Sequence, residues 1–167
     1  MSPKVTAKQN NSQMCFVCGL KNPAGLGASF FEVEGGQLVA LFTPGEEHQG
    51  YPGRLHGGLA ATILDETIGR SININQTEVW GVTVEFNVRY RKPVPLDEEL
   101  RVVGRITKQN RRLFEGSGEI LLPDGEIAVE GRGKYIKLPL DEIADYDYEE
   151  EDWKIVPSQE DPLEIDL

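Results

Sequence analysis

Hydrophobic and polar residues alternate along residues 79–90, and this two-residue period predicts a β-strand with one buried face. Apolar side chains occupy every second position from Val82 to Tyr90, with polar side chains between them. Five further strands are predicted, at residues 28–34, 37–42, 99–108, 111–122 and 126–137. The first two flank Gly35 and Gly36, a dipeptide that favours a two-residue hairpin turn.

Residues 57–72 repeat their apolar positions at three- and four-residue steps, which predicts an α-helix. Its bulky face carries Leu59, Ala60, Ile63, Leu64, Thr67 and Ile68. A second face carries Gly58, Ala61, Thr62, Asp65 and Gly69, which are small apart from Asp65. The order β-β-α-β-β-β-β with short turns predicts an α+β fold, an antiparallel sheet with one helix packed on it.

The remaining segments divide the chain into three parts. Residues 1–14 are polar and are expected to form a flexible N-terminus, residues 15–140 the folded domain, and residues 141–167 an acidic C-terminal tail. We expect the tail to be a loosely ordered arm that Trp153, Ile155 and Val156 could dock on the domain. The Gly- and Pro-rich residues 43–55 predict a long irregular loop, a kind of loop that is often functional.

The charge of the chain is concentrated in the tail. The net charge is −11, and residues 141–167 alone hold twelve Asp or Glu and one Lys, so the domain itself is neutral. A neutral domain disfavours nucleic-acid binding, which needs basic groups against the phosphates. No stretch has the length and apolarity of a membrane span and no signal segment opens the chain, so a cytoplasmic location is expected.

Cys15 and Cys18 are the two cysteines, in the sequence Cys-Phe-Val-Cys. A structural zinc site needs four ligands, and the spacing of His48 and His56 does not resemble that of a zinc finger. A redox pair usually lies between a strand and a helix, whereas a Gly- and Pro-rich stretch follows here. Structural thiols are therefore the preferred interpretation, with zinc or redox chemistry as alternatives.

The start of the predicted helix suggests an oxyanion site. The first N–H groups of a helix lack partners within it, and the helix dipole favours negative charge there. Gly57 and Gly58 leave those N–H groups unshielded, as an oxyanion hole for acyl transfer requires. The alternative is that the glycines only permit a tight turn.

Asp65 is the second candidate for chemistry. A carboxylate on the small face of a mostly apolar helix is costly unless it is paired, hydrated or used as a base or nucleophile. Glu66 is expected to form a surface ion pair with Arg70, four residues on.

Gly57 and Asp65 are too far apart on one helix to act on the same bond. They are eight residues apart, which is about 12 Å along a helix axis. If both act on one carbonyl, the carboxylate must come from a second copy of the helix, antiparallel across a two-fold axis. This arrangement predicts a homodimer with two sites. The small face of the helix would allow the two helices to approach each other closely.

His56-Gly57-Gly58 with an acid nine positions after the histidine, on the only helix of such a chain, resembles the hotdog-fold acyl-CoA thioesterases, and in particular the phenylacetic-acid-degradation (PaaI-like) branch. The resemblance covers roughly residues 15–137 and includes the stretches 18–26 and 48–58. It implies a hotdog fold, in which the antiparallel sheet wraps around one central helix.

The resemblance also implies roles for single residues. Gly57 matches the glycine whose N–H polarises the thioester carbonyl, and Asp65 matches the catalytic carboxylate, acting from the opposite subunit. His56 matches the histidine that orients the loop or contacts substrate, and the candidate substrate-binding residues are Gly58, Gln49, Thr62 and Arg91. Arg91 belongs to a basic zone at residues 89–112 that could hold the nucleotide end of CoA.

The function expected on this basis is hydrolysis of a small, aryl or medium-chain acyl-CoA by a homodimer or a dimer of dimers, without metal or other cofactor. Some members carry Thr or Ser one turn after the acid, where this chain has Gly69. This difference leaves open a non-catalytic acyl-CoA-binding protein. A 3-hydroxyacyl thioester dehydratase that uses His48 is a further alternative, although Thr62 stands where such enzymes carry their acid.

Overall fold

A computed structural model of the protein describes residues 2–145 and 153–167. The strands are β1 (Val5–Lys8), β2 (Ser29–Val33), β3 (Gln37–Phe42), β4 (Trp80–Tyr90), β5 (Leu100–Gln109), β6 (Leu113–Leu121) and β7 (Ile127–Leu138). The helices are α1 (Gly57–Arg70), which continues into a 3-10 turn at Ser71–Ile74, and a short α2 (Leu140–Ile143). The predicted helix and six predicted strands are confirmed to within two residues at each end, apart from the 3-10 geometry of the last helical turn.

The seven strands form one antiparallel sheet in the order β1-β2-β3-β5-β6-β7-β4. Helix α1 lies against β3 to β7 and buries Ile63, Leu64 and Ile68 completely. A sheet wrapped around one central helix is the hotdog fold, so the expected fold class is confirmed. The order leaves β1 and β4 as the two edge strands of the described sheet.

A row of glycines allows the helix to lie directly on the sheet. Gly104, Gly118 and Gly131 are neighbours in register across β5, β6 and β7. A Cβ atom at Gly104 would lie 2.8 Å from the carbonyl oxygen of Thr67 in α1, and one at Gly118 would lie 3.0 Å from Ile68 Cγ1 and 2.5 Å from a backbone oxygen of β5. A side chain would therefore collide with the helix backbone at Gly104, and with the Ile68 side chain and the neighbouring strand at Gly118.

Replacing Gly118 with alanine is expected to lower the free energy of unfolding by about 1–3 kcal/mol, the usual cost of adding a methyl group to a filled core. Denaturant titration of the parent and the variant measures this difference. Glu115→Ala, at an exposed position of the same strand, is the matched control and should change stability by at most about 0.5 kcal/mol. Equal stability of Gly118→Ala and the parent would contradict the close packing of helix and sheet.

A β-bulge in β4 changes which residues of the strand face the helix. The pairing of β4 with β7 skips Val84, which is 54% exposed, between Thr83 and Glu85. Beyond the bulge Phe86 and Val88 pack on the core, as their alternation predicts. Before it Thr83 points to the helix, although the sequence pattern assigned it to the polar face with Glu85.

The chain ends are more ordered than the sequence predicted. Residues 5–8 pair with β2, so the expectation of a flexible N-terminus is wrong for this segment. Lys8 forms an ion pair with Asp161 at 2.6 Å, and Ile165 is buried against β2 and β3. Trp153 packs on the main core, as its apolar character predicted. Within the predicted acidic tail, residues 146–152 lie outside the described part of the chain.

Two loops differ in detail from the predictions. The hairpin turn contains three residues, Glu34 to Gly36, because Val33 pairs with Gln37. Residues 43–55, predicted to be irregular, contain a 3-10 turn at Glu46–His48 that buries His48. No helix within residues 2–145 and 153–167 combines the length and apolarity that crossing a bilayer requires.

Candidate active site

The N-terminus of α1 presents one unpaired backbone donor. His56 is the N-cap, and its Nδ1 accepts a hydrogen bond from the Gly58 N–H at 2.9 Å. The His56 carbonyl accepts hydrogen bonds from the N–H groups of Leu59 and Ala60. Among the described residues nothing accepts the N–H of Gly57, which is half-buried. The sequence offered both Gly57 and Gly58 as donors, and the His56 cap leaves Gly57 as the available one.

Gly57 lies at the wall of a groove of about 350 Å³. Tyr90, on the edge strand β4, fixes this wall because its hydroxyl donates to the Gly57 carbonyl at 2.6 Å. The groove is lined by apolar residues and by three basic ones, Arg54, Arg91 and Lys92. A backbone donor, an apolar wall and cationic groups therefore lie side by side at the start of the helix.

Asp65 is held by two hydroxyl groups from the sheet. Thr83 Oγ1 lies 2.9 Å from Asp65 Oδ1 and 3.1 Å from Oδ2. The Tyr135 hydroxyl donates to the same carboxylate, with its oxygen 3.1 Å from Oδ1. Thr83 and Tyr135 are directly paired across β4 and β7, so the sheet register brings them to one point. The carboxylate is partly buried, and its orientation is fixed.

The surroundings of Asp65 act on its pKa in opposite directions. Burial raises the pKa of the Asp65 carboxyl, and the hydrogen bonds from Thr83 and Tyr135 lower it. Burial and the nearby Asp65 charge raise the pKa of Tyr135, which therefore remains a protonated donor. The net pKa of Asp65 is raised, which makes it a stronger base than an exposed aspartate.

Thr83 and Tyr135 contact the candidate carboxylate of Asp65, and the sequence did not reveal either of them. The Thr83 hydroxyl contacts Asp65 from strand β4, whereas the position one turn after Asp65 on the helix is Gly69 and has no side chain. The absent side chain at Gly69 instead makes room for the Tyr135 ring, since a Cβ atom there would lie 3.2 Å from Tyr135 Cε1. Only the bulge in β4 brings Thr83 to this face, and the alternation pattern gave no sign of it.

Replacing Thr83 with valine is expected to raise the pKa of Asp65 further, because a hydrogen bond to its ionised form is lost while burial remains. An NMR titration that follows the Asp65 carboxyl carbon measures the shift. Thr62→Val is the matched control, since Thr62 lies on the same helix but donates to the Gly58 carbonyl at 2.9 Å. An unchanged Asp65 titration in Thr83→Val would show that this hydroxyl does not support the carboxylate.

The other predicted site residues lie near the helix start rather than near Asp65. Gln49 is exposed, and its Oε1 accepts the Gly53 N–H at 2.8 Å. Arg91 lines the groove and pairs with Glu130 at 2.7 Å. Asp65 lies eight positions after Gly57 in the helix, about 12 Å along the axis, so one protomer does not bring the two together.

The predicted pairing of Glu66 with Arg70 is confirmed at 2.7 Å, but Arg70 is buried rather than on the surface.

The predicted basic zone at 89–112 is not a single patch. Lys92 pairs with Glu126, Arg105 pairs with Glu119 at 2.5 Å, and Arg101 donates to backbone carbonyls. These cations are engaged by the fold, and only those near Gly57 line the groove.

Comparisons with known proteins are consistent with this architecture. Residues 52–129 match the family model described as the thioesterase superfamily. The chain is 31% identical to mouse acyl-coenzyme A thioesterase 13 over 97 residues, which are 58% of this chain and 69% of the relative. It is 33% identical to mouse acyl-coenzyme A thioesterase THEM4 over 112 residues, 66% of this chain, and it spans 47% of that protein's length.

Solved structures share the fold. The thioesterase superfamily protein RHA08564 superposes with a TM-score of 0.67 at 28% identity, covering 73% of this chain and 59% of that one. The Escherichia coli PaaI protein superposes with a TM-score of 0.61 at 17% identity, covering 68% and 80% respectively. The PaaI-like architecture expected from the sequence is thus present, and the chain belongs to the thioesterase superfamily.

Proposed function

We propose that this protein is an acyl-CoA thioesterase whose active site is shared by two protomers. The observation that carries the proposal is that one helix presents two different groups. One is the unpaired N–H of Gly57, and the other is the partly buried carboxylate of Asp65, which two hydroxyl groups hold. Together they are the two parts that acyl transfer to water needs, an oxyanion donor and a base or nucleophile.

A dimer would bring the two groups together. The edge strand β4 has 11 residues, and one side of it has no partner strand within the described sheet. Such an edge is suited to pairing with a second copy of itself across a two-fold axis. The small face of α1 also remains accessible to a second protomer. Its residues Gly58, Ala61, Thr62 and Asp65 are exposed or only partly buried. The start of each helix would then face Asp65 of its partner.

In this mechanism the thioester carbonyl accepts a hydrogen bond from the Gly57 N–H of one protomer. The Asp65 carboxylate of the other protomer takes a proton from water, whose oxygen attacks the carbonyl carbon. The negative charge that develops on the carbonyl oxygen is stabilised by Gly57 and by the helix dipole. The tetrahedral intermediate then collapses, the carbon–sulfur bond breaks, and CoA leaves as the thiolate.

Direct attack by Asp65 on the thioester carbonyl, through an anhydride intermediate, uses the same geometry. Isotope labelling in a single turnover distinguishes this route from attack by water.

The groove beside Gly57 is suited to the CoA portion of the substrate. Arg54 is exposed there and has no ion pair among the described residues, and Arg91 and Lys92 lie beside it. Guanidinium and ammonium groups are the usual protein partners of phosphates. His56 caps the helix with Nδ1, and this contact holds the Gly57 peptide in place.

The dehydratase alternative is not supported by the position of His48. His48 is buried, its Nδ1 accepts the Gly45 N–H at 2.9 Å, and its Nε2 lies 3.0 Å from the Ala24 carbonyl oxygen. Both ring nitrogens are therefore occupied in joining two loops, and neither is available to a substrate.

The proposal is tested by measuring thiol release from a panel of short, aryl and medium-chain acyl-CoAs. Turnover of at least one class is expected, and the class preferred identifies the acyl group. Binding of CoA in a thermal-shift assay without any thiol release would instead favour the non-catalytic acyl-CoA-binding alternative and contradict the proposal.

A further inference from the structure

The Cys15-X-X-Cys18 motif has no role in the thioesterase mechanism, yet the fold places it against helix α1. The two sulfur atoms and a carboxylate oxygen of Glu66 all lie within 4.8 Å of one another. Both thiols are free; Cys18 is fully buried and Cys15 only partly. The neighbours of Cys15, Met14 and Phe16, are 52% and 38% exposed. The motif is thus a compact pair of thiols with one member close to solvent.

The local backbone holds the two cysteines on the same side of a turn. The Gly19 N–H donates to the Cys15 carbonyl at 2.7 Å, which closes one turn over positions 15–19. The Asn11 side chain donates to the Cys18 carbonyl at 2.8 Å and fixes the turn to the domain. A two-residue spacing within such a turn is the arrangement that reversible dithiol pairs use.

A buried cation lies directly beside this pair. Arg70 Nη2 donates to Cys18 Sγ at 3.0 Å, and Arg70 Nε donates to Glu66 at 2.7 Å. The guanidinium is held in place between two aromatic rings, 4.2 Å from the Phe30 centroid and 5.0 Å from that of Trp153. A fixed positive charge in contact with sulfur favours the thiolate over the thiol.

The two thiols differ in their acidity. The hydrogen bond from Cys15 lowers the pKa of Cys18, and the Arg70 charge lowers it further against the effect of burial. The same hydrogen bond, together with burial, raises the pKa of Cys15. The contact with Arg70 therefore favours negative charge on Cys18 over negative charge on Cys15.

A metal site is less consistent with these contacts. A divalent cation bound by Cys15, Cys18 and Glu66 would lie against the guanidinium of Arg70, which already neutralises two of these groups. A closed zinc site also needs a fourth ligand, and the described part of the chain adds no further Cys, His, Asp or Glu to the cluster.

We propose that Cys15 and Cys18 form a reversible dithiol–disulfide pair, poised by Arg70, that exchanges with low-molecular-weight disulfides through Cys15. Transfer of the Cys15 proton to the Cys18 thiolate makes Cys15 the attacking thiolate. Its sulfur attacks one sulfur of the small disulfide RSSR, forming a mixed disulfide and releasing RS⁻. That thiolate accepts the proton of Cys18, whose sulfur then attacks Cys15 Sγ and releases a second RS⁻. The chain loses two electrons, and the small disulfide leaves as RSH and RS⁻.

Arg70 sets the equilibrium of this exchange. Disulfide formation removes the Cys18 thiolate, which accepts a hydrogen bond from Arg70. The guanidinium therefore stabilises the reduced form of the pair. Arg70→Lys keeps a positive charge but cannot contact Cys18, Glu66 and the Asn10 carbonyl at once as the guanidinium does. The variant should become half-oxidised at a glutathione ratio about tenfold more reducing, which corresponds to one lost hydrogen bond to a charged group.

The experiment equilibrates the full chain with mixtures of reduced and oxidised glutathione, quenches it with acid, labels free thiols with N-ethylmaleimide and measures intact mass. Because the chain has two cysteines, the species are unambiguous: two labels for the dithiol and none for the disulfide. We expect a complete and reversible change from two labels to none. Cys18→Ser should stop at a mixed disulfide with glutathione on Cys15, and Cys15→Ser should react far more slowly because Cys18 is buried.

Two results would overturn the proposal. One is retention of both labels in the parent chain under the most oxidising glutathione mixture, while thermal unfolding confirms that the chain is folded. The other is tight binding of one Zn²⁺ by the reduced chain that protects both thiols from labelling, which would make the cluster a metal site. Neither result depends on whether the protein hydrolyses acyl-CoA.

Discussion

Replacing Asp65 with asparagine is expected to lower kcat for acyl-CoA hydrolysis by about 10²- to 10⁴-fold, the usual contribution of a positioned general base. Asparagine has the same shape, and its carbonyl can still accept hydrogen bonds from Thr83 and Tyr135. The loss should therefore come from the missing base and not from a displaced side chain. Thiol release from the preferred acyl-CoA, measured at saturating substrate, gives the change in kcat.

The same substitution is expected to leave the fold intact or to stabilise it. Burial raises the pKa of Asp65 above its value in the unfolded chain, so the ionised form costs folding free energy once the pH exceeds both values. Asparagine removes that cost at neutral pH, and the variant should unfold at a temperature no lower than that of the parent. Glu66→Gln is the matched control, a neighbouring carboxylate outside the proposed reaction. Equal loss of activity in both folded variants would argue against a specific role for Asp65.

Replacing Gly57 with proline is expected to lower kcat by about 10²- to 10³-fold, the usual cost of losing one oxyanion donor. Proline lacks only the N–H that the mechanism uses, and it is favoured at the first position of a helix. The preceding residue, His56, has φ −60° and ψ 132°, which is the extended conformation that a following proline requires. The helix should therefore form normally.

Gly57→Ala is the matched control for this substitution because it retains the N–H. Its Cβ atom would lie 3.4 Å from the Tyr90 ring, an ordinary van der Waals contact. The alanine variant should lose much less activity than the proline variant, with circular dichroism confirming equal helix content. If both lose activity equally, crowding in the groove rather than a lost donor explains the effect.

The sequence predicted the fold well because two periodicities were clear. The three- and four-residue repeat at 57–72 and the alternation at 79–90 each match a regular element with a buried face. It did not predict β1, whose residues pair with β2 but show no alternation strong enough to stand out from a polar terminus. Such pairing depends on the neighbouring strand and on the C-terminal segment, which are distant in sequence.

Residues of the candidate site could be chosen from the sequence only where they lie on one continuous element. Gly57 and Asp65 could be chosen because both lie on the helix, where spacing gives position directly. Thr83 depends on a one-residue bulge, and Tyr135 depends on the register between β4 and β7. Arg70 was expected on the surface, and it is buried because the cysteine turn and Trp153 cover it. None of these features has a local sequence signal.

The central claim is that Gly57 of one protomer and Asp65 of the other act on the same thioester. Subunit exchange between the Gly57→Pro and Asp65→Asn variants tests it directly, with native mass spectrometry to confirm that mixed dimers form. Each mixed dimer would contain one site with both groups intact, so the mixture should recover about one quarter of parental activity at full random exchange. Mixed dimers that remain as inactive as either variant alone would contradict the account.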